Sequence, residues 1–339
     1  MVFLLCMRRD SYKKLGDAIK KAKRIAIVTH LNPDGDAMGS SLGLSLYLQK
    51  LKKEVKVIVP NATPQFLAWM PDNKKVLNFQ TDEKKVRAFV DKSDLLFVLD
   101  FNGFKRIEKL GDYLREKDIT KVVIDHHQQP EAIAKYYLWD VKACSTCELI
   151  YDLMKGMGHI RMLDKKIAAC LYTGLMTDTG SFRFPSVNDK THLIISDLLK
   201  TGMKHEEVHG AVYDTYSRDR MRLLGYALNK IQVLPDNKTA YIALSEAELK
   251  EFNYQRGDTE GMVNYPFGIN GINFCALFME WEGMVKISLR SKGKLDVNKI
   301  ARAHYNGGGH INAAGGRSNI SLQETVEKFI SLVGSSSKQ

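Results

Sequence analysis

At 339 residues, 44% of them hydrophobic and 26% charged, the chain is too long for one ordinary domain and comfortable for two globular ones. No apolar run approaches the ~20 residues of a membrane span, and Val2-Phe3-Leu4-Leu5-Cys6 is too short for a signal-peptide core, so neither a membrane protein nor a secreted one is expected and a cytoplasmic location is. The five cysteines, odd in number, argue against a disulfide framework, and the net charge of +11 suits a polyanionic partner without identifying one.

The first half alternates strand and helix signals. Arg24-Ile25-Ala26-Ile27-Val28-Thr29-His30 is a short β-rich run, and residues 37–51 form a helical stretch with Leu42, Leu46 and Leu48 among small residues. Val55-Lys56-Val57-Ile58-Val59, Leu95-Leu96-Phe97-Val98-Leu99-Asp100 and Lys121-Val122-Val123-Ile124-Asp125 read as further strands with helical segments between them. Continuous apolar strands alternating with helices imply a parallel sheet covered on both faces. Cys144 and Cys147 then form a lone C-x-x-C. A redox pair or half a zinc site is one reading. A capping box, Ser145 with Glu148, opening a helix is the favoured one, because no second pair exists.

Residues 167–176 read as an apolar helix, and residues 188–230 as wholly helical, with an amphipathic part at 192–199 and a charged part at 217–230. Pro235-Asp236-Asn237 makes a turn. Beyond it, residues 239–244, 273–281 and 285–289 read as strands, with Glu282-Gly283 as a hairpin turn between the last two. A glycine-rich stretch at 307–316 precedes the last helix. The expected class is α/β: a parallel-sheet catalytic domain over 1–216, a helical linker over 217–231, and a smaller α+β substrate-binding domain over 232–334.

The chemical residues gather at strand ends. His30 ends the first strand and leads into Asn32-Pro33-Asp34-Gly35-Asp36; Asp100 ends another; Asp125-His126-His127 ends a third. In an open parallel sheet, ligands bind outside the carboxyl ends of the strands, so three strands deliver His and Asp to one edge. Asp178 follows the apolar helix and is a fourth source. Each piece has a plainer reading. Asn32-x-Asp34-x-Asp36 resembles the start of a calcium loop, but Ala37 stands where that loop needs Gly and Gly43 where it needs Glu. Asp100 alone could be a helix N-cap, and Pro33-Asp34-Gly35 a turn. Two adjacent histidines at a buried strand's exit are harder to dismiss, since they cost desolvation unless something binds them.

Together, His30, Asp34, Asp36, Asp100, His126 and Asp178 form a mixed imidazole and carboxylate set. Such ligands suit Mn²⁺, Mg²⁺, Fe²⁺ or Zn²⁺, and the excess of carboxylates leans toward Mn²⁺, with Mg²⁺ as its nearest competitor. They are too many for one ion that keeps open positions, and about right for two ions sharing a carboxylate.

At this point a resemblance is plain. His30-x-Asn32-Pro33-Asp34-Gly35-Asp36-x-x-Gly39-Ser40, the Asp100 strand end, Asp125-His126-His127 and Thr177-Asp178-Thr179-Gly180 resemble the four motifs of the DHH phosphoesterase family. Ser288-Leu289-Arg290-Ser291, Gly307-Gly308-Gly309-His310 and Ala313-Ala314-Gly315-Gly316 resemble the signatures of the DHH-associated domain. The resemblance implies that His30 and Asp34 hold one metal, that Asp36, His126 and Asp178 hold the other, and that Asp100 bridges both. It implies that His127 contacts the substrate phosphate or assists the leaving group, with Asp125 orienting its neighbours. Arg290, Ser291, Gly308, Gly309 and His310 would bind substrate. Independently, a guanidinium fork suits a phosphate, and glycines let backbone N–H groups approach one closely.

Members of this short two-domain type degrade very short RNA oligomers, remove the 3′-phosphate of adenosine 3′,5′-bisphosphate, or split linear and cyclic dinucleotides, and the first two activities together are favoured. The implied substrates are short RNA oligonucleotides or small nucleotides, with no membrane partner; a homodimer is left open. A single-strand exonuclease of the RecJ type would carry an extra nucleic-acid-binding domain, and a family II pyrophosphatase a different second domain. A nucleotide-binding module on a decayed enzyme fold should have lost ligands first, and all six are present.

Overall fold

The computed structural model describes residues 9–236 and 238–336; the apolar stretch 2–6 and Asn237 of the expected turn lie outside them. The chain divides into two units, Met1–Thr215 and Tyr216–Gln339. The first runs α1 (Arg9–Lys21), β1 (Arg24–Val28), α2 (Gly35–Lys50), β2 (Glu54–Val59), β3 (Leu77–Asn78), α3 (Phe79–Val90), β4 (Leu95–Leu99), α4 (Glu108–Arg115), β5 (Thr120–Asp125), β6 (Tyr136–Trp139), α5 (Thr146–Gly156), α6 (Lys165–Asp178), α7 (Asp189–Lys200) and α8 (His205–Tyr213). Its strands pair in parallel in the order β3-β2-β1-β4-β5-β6.

Alternation along each strand divides the side chains between two cores. Ile25, Ile27, Phe97, Leu99, Val122 and Ile124 pack with residues of α2, α5 and α6 on one face. Ala26, Val28, Leu96, Val98 and Val123 pack with Val86, Val90, Leu110 and Leu114 of α3 and α4 on the other. Both faces are covered, which is why the strands read as unbroken apolar runs. The strand order reverses between β1 and β4, so the chain leaves these two strands toward opposite faces and a crevice opens at their carboxyl ends.

Two helices close tightly beside that crevice. A Cβ on Gly39 of α2 would lie 2.5 Å from the Cys170 carbonyl of α6, and one on Gly174 of α6 would lie 2.6 Å from Asp36 Oδ1. Only glycine permits this approach, and the approach carries Asp36 toward the end of α6, where Asp178 stands.

The second unit contains α9 (Arg218–Asn229), β7 (Gln232–Val233), β8 (Thr239–Leu244), α10 (Glu246–Glu251), β9 (Phe274–Trp281), β10 (Met284–Ser291), α11 (Val297–His304), β11 (Gly308–Gly309), β12 (Ala313–Ser318) and α12 (Leu322–Ser336). Its mixed sheet has the order β11-β12-β10-β9-β8-β7, with only β8 and β9 parallel. One face packs with α9 through Leu223 and Ala227, the other with α11 and α12 through Val297, Ala301 and Phe329. The β9–β10 hairpin turns at Glu282 and Gly283, with φ of 54° and 76°, the paired left-handed geometry that matches strand twist.

One sequence expectation needs correction. Residues 188–230 are three helices rather than one helical block: Gly202 stops α7 in a left-handed conformation, φ 78°, and Ser217 restarts the chain by capping Arg220 N. The glycine-rich stretch is a hairpin, because β11 and β12 pair Gly308 with Gly315 and Gly309 with Ala314. No helix among the described residues is long and apolar enough to cross a membrane.

Candidate functional site

The crevice of the first unit collects the His and Asp side chains named from the sequence. Ligand atoms of His30, Asp34 and Asp100 lie within 4.8 Å of one another, and so do those of Asp36, His126 and Asp178. Asp100 touches both groups, with Oδ2 3.6 Å from His30 Nε2 and Oδ1 3.6 Å from His126 Nε2. His126 Nε2 also lies 3.7 Å from Asp36 Oδ2 and 3.4 Å from Asp178 Oδ2. Asp100 is not a helix cap: it leaves β4 in a left-handed conformation, φ 63°, and is buried. Asp34 is one, with Oδ1 accepting from Asp36 N and Ala37 N at 3.0 Å each, while Oδ2 stands 3.8 Å from His30 Nε2.

Two of the histidines are held in one tautomer. His30 Nδ1 lies 2.9 Å from Leu31 O, and His126 Nδ1 3.1 Å from Ala143 O. A carbonyl can only accept, so each Nδ1 carries the proton and Nε2 is left with its lone pair when the ring is neutral. The gaps from Nε2 to the carboxylates, 3.4–3.8 Å, are long for hydrogen bonds. An ion with ligand distances of about 2.0–2.2 Å would bridge them. The donor set therefore fits divalent cations.

Electrostatics agree. Burial first, then Asp36 and Asp34, holds the Asp100 carboxyl well above its ordinary range. Burial opposes the charging of His126, but Asp178, Asp100 and Asp36 outweigh it and push its pKa to about 9. The acids compete for protons where cations would relieve their repulsion.

The amino end of α5 orients two of these carboxylates. Asp36 Oδ2 accepts from Thr146 N at 2.6 Å and Oδ1 from Cys147 N at 2.9 Å, while Thr146 Oγ1 donates to Asp100 Oδ1 at 2.9 Å. Thr146, fully buried, was not singled out in the sequence; its signal was its place at the start of a capped helix. We expect Thr146→Val to weaken Mn²⁺ binding about tenfold and Thr146→Ser to restore it, by calorimetric titration of the metal-free protein. Equal affinity in all three proteins would refute this role.

The C-x-x-C pair lies beside this helix. Ser145 Oγ accepts from Glu148 N, but Glu148 Oε2 reaches Cys144 N rather than Ser145 N, so the capping box is half formed. Burial pushes both thiols well up, which keeps them protonated and unsuited to metal or redox work.

Asp125 and His127 form a buried dyad. Asp125 Oδ1 lies 2.7 Å from His127 Nδ1 and accepts from His127 N at 3.1 Å. Burial lowers the His127 pKa to about 4 against the pull of Asp125, so the imidazole is neutral at physiological pH. Trp139 donates Nε1–H to His127 O at 2.6 Å and helps fix this strand end.

The second unit treats its named residues differently. Cβ atoms on Gly307 and Gly309 would lie 1.9 Å from Gly315 O and 2.4 Å from Ala313 O, whereas one on Gly308 would meet nothing closer than 3.5 Å. Two glycines thus serve chain packing, whereas a Cβ on Gly308 would only touch Asn298 and Arg302 at ordinary contact distance. Gly309 N donates to Asn298 Oδ1 at 2.9 Å and His310 N to Ala313 O at 2.7 Å, so these N–H groups already have partners. Ser291 Oγ donates to Leu295 O at 2.6 Å and accepts from Asn312 at 2.8 Å. Arg290 stands in β10 opposite Ala313, with Nη1 3.0 Å from Leu289 O.

Residues 24–175 match the DHH family, N-terminal domain, and residues 237–336 match the DHHA1 domain. The chain is 29% identical to the probable bifunctional oligoribonuclease and PAP phosphatase NrnA of Streptococcus mutans, over 94% of this chain and 97% of that protein. It is 27% identical to the bifunctional oligoribonuclease and PAP phosphatase NrnA of Bacillus subtilis, over 86% and 88%. The crystal structure of an exopolyphosphatase-related protein from Bacteroides fragilis superposes with a TM-score of 0.91 at 39% identity, covering 97% of this chain and 96% of that one.

Proposed function

The chain belongs to the DHH phosphoesterase family, and from that premise we propose that it hydrolyses short oligoribonucleotides and removes the 3′-phosphate of adenosine 3′,5′-bisphosphate in the cytoplasm. The observation that carries the reading is Asp100 placed between the His30–Asp34 group and the Asp36–His126–Asp178 group. In this reading the two groups hold one divalent ion each, Mn²⁺ in preference to Mg²⁺, and Asp100 serves both. Bound ions would acidify a water and neutralise phosphoryl oxygens. The names of the two bacterial relatives support the substrates.

The chain's own residues have defined tasks in this proposal. Oxygen from water bonds to phosphorus, the P–O bond to ribose breaks, and the leaving oxygen takes up a proton. His127, neutral and held through Nδ1 by Asp125, would accept at Nε2 the proton that the attacking water gives up and, so charged, contact the phosphate or hand the proton to the leaving oxygen. The first unit is the catalytic domain, up to about residue 216, and the part beyond 232 binds substrate through Arg290, Gly308 and His310, with Ser291 shaping the turn. Gly308, where a side chain would find no clash, together with Arg290 and His310 offers one compact anchor. Long strands need a track of interleaved aromatic and basic side chains.

Binding energy should therefore saturate within a few nucleotides. We expect kcat/KM to be highest for oligomers of about two to five nucleotides and to fall with length, since further phosphates add charge but no specific contact. Initial rates at fixed salt on a dinucleotide, longer RNA, adenosine 3′,5′-bisphosphate, cyclic di-AMP and pyrophosphate test this. Preference for cyclic di-AMP would make the protein a cyclic-dinucleotide phosphodiesterase. Faster, processive degradation of a strand of about two dozen nucleotides would replace the single-anchor reading with an exonuclease one.

A further inference from the structure

Most basic side chains of the first unit that approach an acid are paired with it. Arg115 meets Glu131 at 2.7 Å, Lys117 meets Asp91 at 2.7 Å, and Lys190 meets Glu148 and Asp152 at 2.7 and 2.6 Å. Arg106 differs. It is exposed on the 3₁₀ turn Phe104–Ile107 that follows β4, and its guanidinium has no hydrogen bond or ion pair among the described residues.

Its backbone is nevertheless fixed against the site. The Arg106 carbonyl accepts from Leu31 N at 3.3 Å, next to His30. Two residues earlier, Phe104 N donates to Glu131 Oε2 at 3.1 Å. Asn102 is tied twice, through Nδ2 to Gln128 O at 2.8 Å and through its carbonyl to Glu131 N at 2.6 Å. The segment begins at Asp100 with φ 63° and ends at Glu108 with φ 48°. Non-glycine residues keep such conformations only where their surroundings over-determine them. An exposed arginine thus stands on a loop pinned to the loops that carry His30 and His127.

The charge also reaches the site. After burial, Arg106 contributes to lowering His30 and His127, and it helps keep Asp34 ionised against its own burial. Unpaired cations are ordinary on a protein surface; position, on a loop bonded to those that carry His30 and His127, is what sets this cation apart. One held unpaired beside a phosphoesterase crevice is set for an incoming anion.

We propose that Arg106 binds the phosphate being cleaved, its guanidinium donating to the non-bridging oxygens. The proposal rests on the phosphoesterase reading above. The planar fork matches two phosphate oxygens at once, and a donor fixed in advance stabilises charge that develops there without reorganising.

The test uses the full chain as wild type, Arg106→Ala and Arg106→Lys. Three quantities are measured: kinetics of the Mn²⁺-loaded proteins on bis(p-nitrophenyl) phosphate and on a 5′-phosphorylated RNA dinucleotide, inhibition by inorganic phosphate, and Mn²⁺ affinity of the metal-free proteins by calorimetry. Arg106→Ala should lower kcat/KM about 10²-fold on each substrate and weaken inorganic phosphate about tenfold. Its Mn²⁺ affinity should be unchanged or tighter, because a positive charge has left the neighbourhood. Arg106→Lys should recover part of the rate, keeping the charge but not the fork. Unchanged kinetics and phosphate inhibition in Arg106→Ala would overturn the proposal. So would Mn²⁺ affinity falling in step with activity, which would make Arg106 a support for the metal loops. If wild type cleaves the nitrophenyl diester but no nucleotide, the nucleotide reading fails, and phosphate inhibition still decides the role of Arg106.

Discussion

Asp100→Ala should lower turnover of the Mn²⁺-supplemented protein by at least about 10³-fold, the several kcal/mol expected when a shared metal ligand is lost. The variant should still fold. Burial, then Asp36 and Asp34, holds the Asp100 carboxyl well above its ordinary range. A carboxyl that keeps its proton longer folded than unfolded costs stability as pH rises past the unfolded value near 4. At neutral pH the metal-free protein bears that cost, and alanine removes it. The lost hydrogen bond from Thr146 works in the other direction, at about 1 kcal/mol. Thermal unfolding with and without Mn²⁺ gives the decisive pattern: wild type gains stability on adding the ion, Asp100→Ala gains little, and the two metal-free midpoints lie close together. Full activity in Asp100→Ala, or in wild type under a chelator, would end the two-metal reading.

Mn²⁺ affinity should climb steeply with pH. In the metal-free protein, burial opposes protonation of His126, but Asp178, Asp100 and Asp36 overcome it and raise its pKa to about 9. A metal held as proposed would take the same Nε2, so its binding must expel that proton. Release of one proton gives about a tenfold gain in affinity per pH unit below the folded pKa. From pH 6 to 9 that amounts to roughly 10³-fold, with a plateau above. Asp100, also held above its ordinary range, steepens the lower part of the curve. Calorimetric titrations in buffers of different ionisation enthalpy count the protons directly. A flat profile, or no proton release near pH 7, would show that His126 is not a ligand.

The parallel sheet and its chemical edge were legible because the relevant information is local. Apolar runs such as Leu95-Leu96-Phe97-Val98-Leu99 imply buried strands, and Asp100, Asp125 and His126 follow such runs directly. Parallel strands then put those ends on one side without knowledge of any contact. Residue types also limited the chemistry, since imidazoles and carboxylates in this ratio select hard or borderline divalent cations. The breaks in residues 188–230 were missed because short helices separated by a few polar residues keep a helical pattern throughout.

What tertiary structure alone decided is how the site is supported. Thr146 is 46 residues from Asp100 and 110 from Asp36 in sequence, and no local pattern joins them. Their meeting depends on α2 and α6 closing at Gly39 and Gly174 and on α5 starting where Asp36 arrives. Arg106 likewise reads as one surface cation among many until its loop is seen bonded to Leu31. The glycine run suggested open N–H groups, yet Asn298 and Ala313 already occupy those of Gly309 and His310. Hydrogen-bond partners far apart in the chain follow from packing geometry, in which a shift of about an ångström makes or breaks the contact. Sequence thus determined which groups could act and at which strand ends. The fold determined their distances, their protonation and the residues that hold them.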